Sequence, residues 1–256
     1  EEEFSCRDGF RWSPDSRRIA YWQVNATGTR DFYMVNNTDS VYAAIVPVEY
    51  PKVGQPISKV RLGVTDIATA RTTWMNIPGE SDKHYLVRME WLLNGSGIIA
   101  QQLDRKQQVS AIYTCNAATG AAKKIFEERD AAWIDILPSW DDDYANGGWD
   151  WLEKGNAFLW ATEQDGWRHV YRIGMDGSQK LVTPGAYDVM GLVRVDEGSN
   201  RLYFLASPDD ATSQYLYSAT LDGRELTRVS PANQYGSHDY FVSPGAKYAH
   251  HSFSNY

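Results

Sequence analysis

Short apolar strands, each introduced by a polar turn, recur along the chain. Ser13-Pro14-Asp15-Ser16 leads into Ile19-Ala20-Tyr21-Trp22, and Asn94-Gly95-Ser96-Gly97 into Ile98-Ile99-Ala100. Glu153-Lys154-Gly155-Asn156 leads into Ala157-Phe158-Leu159-Trp160, and Gly198-Ser199-Asn200-Arg201 into Leu202-Tyr203-Phe204-Leu205. The last copy is Ser243-Pro244-Gly245-Ala246-Lys247-Tyr248-Ala249. Pro, Gly, Asn and Asp favour turns, whereas β-branched and aromatic residues suit a pleated, half-buried surface. Each of the first four copies is followed by a hairpin. Residues 62–66 run on to 72–75; residues 111–115 turn at Thr119-Gly120 and return through 124–126. Residues 170–173 turn at Asp176-Gly177 and return through 180–183, and residues 215–218 turn at Asp222-Gly223 and return through 226–229. Glycine in such a turn tolerates the positive φ that a tight hairpin demands.

With Ile19, Ile98, Phe158, Leu202 and Tyr248 taken as equivalent, the steps are 79, 60, 44 and 46 residues. The short steps match the roughly 40–50 residues of a four-stranded propeller blade. The long ones imply insertions at residues 25–50 and 138–148, on a face or rim where propellers bind ligands. Convincing amphipathic helices are absent from the pattern. The expectation is an all-β protein, a β-propeller of four-stranded antiparallel blades with four blades and the start of a fifth. A tandem pair of small β-sandwiches would match the strand density but not the single recurring motif.

Composition narrows the function more than the fold. The chain has 256 residues, 43% hydrophobic and 13% aromatic. Its net charge of −8 argues against a nucleic-acid surface, which needs a basic stripe. No apolar run approaches the roughly 18 residues that would cross a bilayer as a helix. The opening Glu1-Glu2-Glu3 is the reverse of a basic signal-peptide n-region, so a processed or truncated piece of a longer protein is expected. Two cysteines, Cys6 and Cys115, exclude a disulfide-dense scaffold and a zinc-type cluster, and leave one bridge open.

Several segments together resemble the dipeptidyl peptidase IV family. Glu1-Glu2-Glu3-Phe4-Ser5, with Trp12-Ser13-Pro14-Asp15 and Ile19-Ala20-Tyr21-Trp22, resembles its glutamate-rich segment and the Trp-Ser-Pro strand after it. Tyr50-Pro51-Lys52-Val53-Gly54, then Val60-Arg61-Leu62-Gly63-Val64, is similar to its Tyr-Pro-Lys-Ala-Gly element and following strand. Asp165-Gly166-Trp167-Arg168-His169-Val170-Tyr171 resembles its Gly-aromatic-Arg-His strand. The resemblance implies a serine exopeptidase that removes N-terminal dipeptides, often after Pro or Ala. It implies an eight-bladed propeller joined to an α/β-hydrolase domain that carries a Ser-Asp-His triad. It also implies a bacterial member, periplasmic or extracellular, and commonly dimeric. Residues 1–256 would then be part of the N-terminal propeller, with the hydrolase domain outside them.

The residues agree with that division. A Gly-x-Ser-x-Gly nucleophile elbow is needed to present a catalytic serine on a sharp turn. Neither Gly95-Ser96-Gly97 nor Gly236-Ser237 has that spacing, so peptide hydrolysis by this chain alone is not expected. The resemblance assigns the glutamates to the substrate's α-amine, which is largely cationic at neutral pH. Charge-assisted hydrogen bonds from two carboxylates would contribute about 1.5–3 kcal/mol each where water is excluded. The position of Phe4 favours Glu2 and Glu3 as the pair, with Glu1 the alternate. The plainer alternative is that three glutamates at a chain end are simply solvated. The expected partners are thus peptides with a free N-terminus; nucleic acid, cofactor and metal are not expected. Open blade edges would invite self-association.

One departure stands out. Ile134-Asp135-Ile136-Leu137-Pro138 occupies the stretch where animal-type relatives carry a Phe-Arg pair, so subsite walls are not transferable from them. Asp141-Asp142-Asp143 reads as a solvated loop, since no Asp-x-Asp-x-Asp-Gly pattern follows. Trp149, Trp151, Trp160 and Trp167 read mostly as packing between twisted sheets. His169 reads as a hydrogen-bonded structural residue, and Arg168 as the partner of a loop carboxylate. Asn25-Ala26-Thr27, Asn36-Asn37-Thr38 and Asn94-Gly95-Ser96 are glycosylation sequons, which matter only outside bacteria. The rival functions are a TolB-like propeller that binds protein partners and a carbohydrate-binding propeller.

Overall fold

The structure, a computed structural model, describes residues 9–136, 149–208 and 210–255. Two compact units divide the chain. One runs to Trp91 and takes in Gly95–Arg105 and Tyr113–Lys123; the other holds Leu92–Asn94, Lys106–Ile112 and the chain from Lys124.

The first sheet has the order β1 (Phe10–Trp12), β2 (Arg18–Asn25), β5 (Lys59–Asp66), β6 (Thr72–Trp74). Between β2 and β5 the chain loops out as a two-stranded ribbon, β3 (Asp31–Asn36) against β4 (Ala44–Glu49), which is the insertion expected at residues 25–50. Three more four-stranded sheets follow in chain order. The second comprises β7 (His84–Trp91), β8 (Gly97–Asp104), β9 (Val109–Asn116) and β10 (Ala122–Arg129). The third comprises β11 (Asp150–Leu152), β12 (Ala157–Thr162), β13 (His169–Gly174) and β14 (Gln179–Leu181). The fourth comprises β15 (Val189–Asp196), β16 (Arg201–Ala206), β17 (Tyr215–Thr220) and β18 (Leu226–Arg228). A final pair, β19 (Ser237–Val242) and β20 (Ala249–Ser254), forms a two-stranded sheet. The expected all-β architecture of four-stranded antiparallel blades is the one observed, with four complete sheets and a two-stranded fifth among the described residues. The second insertion, residues 138–148, lies outside the described residues.

Each repeat is longer by one strand than the turn-strand-hairpin unit visible in the sequence. The added strand comes first: β1, β7, β11, β15 and β19 each precede the motif turn. One assigned equivalence also shifts. Ser13 donates its backbone N–H to the Arg18 carbonyl at 2.9 Å, and its Oγ accepts from the Arg18 N–H at 2.9 Å. Ser243 repeats both bonds with Tyr248, at 2.9 and 3.1 Å. Tyr248 therefore matches Arg18, and the counterpart of Ile19 is Ala249, one residue later than the sequence pattern placed it. The hydrogen bonding of the Ser-Pro turn sets the register, and the nearest large apolar residue does not.

Burial explains why the motif strands read as they do. Ile98, Ile99, Ala100 and Leu103 on β8, and Ala157, Phe158 and Leu159 on β12, are fully buried. A strand covered on both faces reads as a continuous apolar run rather than an alternation. Leu159, Val170, Leu202, Phe204 and Tyr215 belong to one core cluster that joins the third and fourth sheets. Tyr187, Phe204 and Tyr217 stack within it, with ring centroids 6.1–6.5 Å apart.

The hairpin glycines have a second task that the sequence did not disclose. Gly120, Gly177 and Gly223 all have positive φ, at 74°, 88° and 69°. Each also lies against a backbone carbonyl on the outer strand of the preceding sheet: Trp74 on β6, Ile125 on β10, and Leu181 just at the end of β14. A Cβ at Gly177 would stand 2.6 Å from the Ile125 oxygen, and one at Gly120 or Gly223 would overlap its carbonyl. The turn of each hairpin thus abuts the sheet before it, and only a residue without a side chain fits.

Candidate functional site

Glu1, Glu2 and Glu3 lie outside the described residues, as do Phe4, Cys6, Leu137, Pro138 and Asp141–Asp143. What is described is the strand they lead into. Arg11 on β1 donates to the Glu90 carboxylate at 3.2 Å, and the Trp91 indole N–H donates to the Arg11 carbonyl at 3.0 Å. These bonds tie β1 to β7. Burial pushes the Glu90 carboxyl up from its ordinary range, against the pull of the Trp91 amide and Arg11.

The Gly-aromatic-Arg-His segment forms the turn between β12 and β13. Asp165 organises it: its Oδ2 accepts from His169 Nδ1 at 2.8 Å and from the Tyr171 hydroxyl at 2.8 Å, and its Oδ1 from the Trp167 amide at 3.4 Å. Burial opposes ionisation of Asp165, but the bonds from His169 and Tyr171 outweigh it and hold the carboxyl below its usual range. A proton on Nδ1 leaves His169 Nε2 as an acceptor, and that atom is buried without a partner. The imidazole meets Tyr187 edge-on, with centroids 5.7 Å apart. With the ring only 2% exposed, His169 positions the turn and is out of reach of a substrate. Arg168 approaches Glu163 at 3.5 Å, which identifies its loop carboxylate.

Close by, a small open pocket is lined by Glu128, Trp133, Ile134, Asp135, Thr162 and Glu163, among others. The buried Glu128 carboxylate accepts from the Thr162 hydroxyl at 2.6 Å. Asp130 caps the bend by accepting from the amides of Ala132 and Trp133, which leaves the Trp133 ring 57% exposed at the mouth. The walls thus combine an exposed indole with several carboxylates, the Arg129 guanidinium and the Gln164 amide, a polar lining of mixed charge. Ile134 and Asp135 belong to the stretch that departs from relatives in sequence, whereas Glu128 and Thr162 stand out in no sequence pattern. A Glu on a strand and a Thr at a strand end carry no local signal; only the fold brings them together.

The tryptophans divide. Trp149 and Trp160 are buried and lie 5.3 Å apart by ring centroid, with Phe158 edge-on to both, so they pack the third sheet. Trp151 is half-buried against Trp149, and Trp167 is exposed. Cys115 is a free, buried thiol whose pKa burial pushes up to about 12, which makes it a poor nucleophile. Among the described residues, no group of three or more His, Cys, Asp or Glu side chains is placed to hold a metal ion. No described helix is long and apolar enough to cross a membrane.

Comparison with known proteins adds the following. The model of the family described as dipeptidyl peptidase IV (DPP IV) N-terminal region matches residues 1–256. A dipeptidyl peptidase 4 of Arthroderma otae is 25% identical over 241 residues, covering 89% of this chain and 30% of the relative. A dipeptidyl peptidase 4 of Trichophyton rubrum is 24% identical over 236 residues, with the same coverage. The crystal structure of Porphyromonas gingivalis dipeptidyl peptidase 4 superposes with a TM-score of 0.84 at 23% identity, covering 99% of this chain and 34% of that one. The chain spans about a third of the length of the proteins it matches, which include fungal and bacterial members.

Proposed function

The chain belongs to the dipeptidyl peptidase IV N-terminal region family, and on that premise we propose that it is propeller sequence of a serine exopeptidase that releases N-terminal dipeptides. Its task is to admit peptides and to hold their free α-amine. Glu2 and Glu3, with Glu1 as alternate, supply the carboxylates for the amine. The nucleophile and its triad belong to a hydrolase domain outside these residues, and the full ring to an eight-bladed propeller. The observation that carries this reading is a family match across all 256 residues by a chain that lacks a nucleophile elbow. The TolB-like and carbohydrate-binding alternatives draw no support from it.

The open pocket lined in part by Glu128 and Thr162 is the described surface we assign to substrate. It takes in Ile134 and Asp135, from the stretch where animal-type relatives carry Phe-Arg.

The test uses the full-length protein and Gly-Pro or Ala-Pro chromogenic substrates, with the amine free or acetylated. Two charge-assisted bonds lost together, at about 1.5–3 kcal/mol each, correspond to a fall in kcat/KM of at least about a hundredfold in a Glu2→Ala/Glu3→Ala variant. The same activity in the variant and the wild type, or equal cleavage of acetylated substrate by the wild type, overturns the assignment.

We also propose that the protein self-associates through the β3–β4 ribbon and acts in the periplasm or outside the cell. Support for the first comes from the ribbon itself. Tyr33, Met34, Val35 and Ile45 are each more than half exposed, on both of its faces. An apolar surface of this kind marks an interaction site. The second rests on the family resemblance alone.

A further inference from the structure

We propose that His238 and His251 form an acid-sensitive lock on the β19–β20 sheet, in which one hydrogen bond between the rings holds the strands and a second proton on the pair breaks it. The two side chains share a face. His238 stands opposite Phe253 and Tyr240 opposite His251, so the alternation of an antiparallel pair puts all four rings on one side. His238 Nδ1 lies 2.9 Å from His251 Nε2, with the ring planes 1° apart and the centroids 5.1 Å apart. Two imidazoles joined edge to edge at hydrogen-bond distance have centroids roughly 5 Å apart. The rings are therefore nearly coplanar and meet in line, nitrogen to nitrogen.

The tautomers follow from the neighbours. His238 Nε2 is 3.2 Å from the Gln234 carbonyl, which can only accept, so Nε2 carries the proton. Neutral His238 then offers a bare Nδ1, and His251 Nε2 must donate to it. His251 is exposed and stacks on Tyr240 at 4.2 Å, so its own Nδ1 can take a proton from solvent without disturbing the bond. Once His251 carries protons on both nitrogens, a further proton on His238 Nδ1 would oppose N–H to N–H and place two imidazolium ions in contact.

The surroundings of His238 reinforce this. Tyr215 on β17 packs at 5.4 Å, and the Arg228 guanidinium from β18 lies 3.6 Å over the Tyr215 ring. Arg228 also donates to the same Gln234 carbonyl, at 3.2 Å. Burial, with the cations of His251 and Arg228, depresses the His238 pKa, and only the Gln234 carbonyl opposes them. A histidine depressed in the folded state contributes stability that is complete above its unfolded pKa of about 6.5 and is lost as pH falls below that value. Acid should therefore open β19–β20 while the fourth sheet stays closed.

Hydrogen exchange of the whole chain, followed by mass spectrometry in peptides covering residues 237–254 and corrected for intrinsic pH dependence, tests this. Protection of the wild type should be constant above about pH 6.5, the unfolded value, and fall between there and about pH 5, by at most about tenfold for each pH unit over which one proton is linked. His251→Gln keeps a donor for His238 but cannot become a cation, so its protection should fall less than that of the wild type over that range, burial and Arg228 still acting on His238. His250→Gln, on the opposite face of β20, should respond like the wild type. Equal acid loss in His251→Gln and wild type overturns the proposal, as does wild-type protection that does not change. Histidine NMR of the wild type is independent of any variant's folding: His238 protonated on Nδ1 at pH 8 also overturns it.

Discussion

Two hairpins of similar apolar content meet opposite fates. In the fourth sheet, Arg-Leu-Tyr-Phe-Leu-Ala on β16 pairs with Tyr-Leu-Tyr-Ser-Ala-Thr on β17, and Leu202, Phe204, Ala206, Tyr215 and Ala219 are almost wholly buried. In the ribbon, Asp-Phe-Tyr-Met-Val-Asn on β3 pairs with Ala-Ile-Val-Pro-Val-Glu on β4, and every one of these residues but Asn36 is exposed. Pairing itself is regular in both. The difference is that β16 and β17 are flanked within their sheet and covered by neighbouring sheets, whereas β3 and β4 form a sheet of two. Apolar residues at alternate positions make a strand; whether the strand is core or interface depends on what lies over its faces.

Substitutions can break or sharpen this contrast, each read as a shift in the urea unfolding midpoint. The largest effect should come from Phe204→Ala, which removes a fully buried ring from the core cluster and should destabilise the chain by about 3–5 kcal/mol. Gly223→Ala should come next, at about 1–3 kcal/mol, because it adds positive-φ strain and a Cβ against the Leu181 carbonyl. Asp165→Asn should lose about 1 kcal/mol at neutral pH by weakening the bonds from His169 and Tyr171. Because the folded Asp165 carboxyl sits below its usual range, that advantage of the wild type should be complete above about pH 4 and vanish as pH falls through the lowered value. Smallest of all, Met34→Ser with Val46→Ser should change stability by no more than about 0.5 kcal/mol while reducing self-association in sedimentation. A ribbon variant as destabilised as Phe204→Ala would show that the ribbon is core, and the contrast would fail.

The parts of the fold legible in the sequence are those built from local rules. The motif turns at Ser13-Pro14 and Ser243-Pro244, the hairpin glycines and the doubly buried runs on β8, β12 and β16 announce themselves through turn chemistry and composition. Of the first strands, β1 and β11 have three residues each and carry no alternation long enough to read, whereas β7, β15 and β19 are longer and simply precede the turn that marks the repeat. Tyr248 was aligned by its bulk, although the bonds of Ser243 place it one position earlier. At the site, Asp165 and His169 were visible as neighbours in one segment. Glu128 and Thr162 are 34 positions apart, and no periodicity links them. Likewise Arg228, Gln234, His238 and His251 come together only through strand pairing, so a histidine pair 13 positions apart looks accidental until the register is known.

The glycines against the preceding carbonyls bear on how such chains can be lengthened. At the corresponding turn of the first sheet stands Ala70, with the same left-handed backbone at φ 54° but an exposed methyl. Copies of the later three sheets carry the notch wherever they are placed, because the missing side chain lets the turn close on the carbonyl in front of it. In a lengthened chain, such turns act as fixed spacers: restoring a side chain at one of them would hold two modules apart.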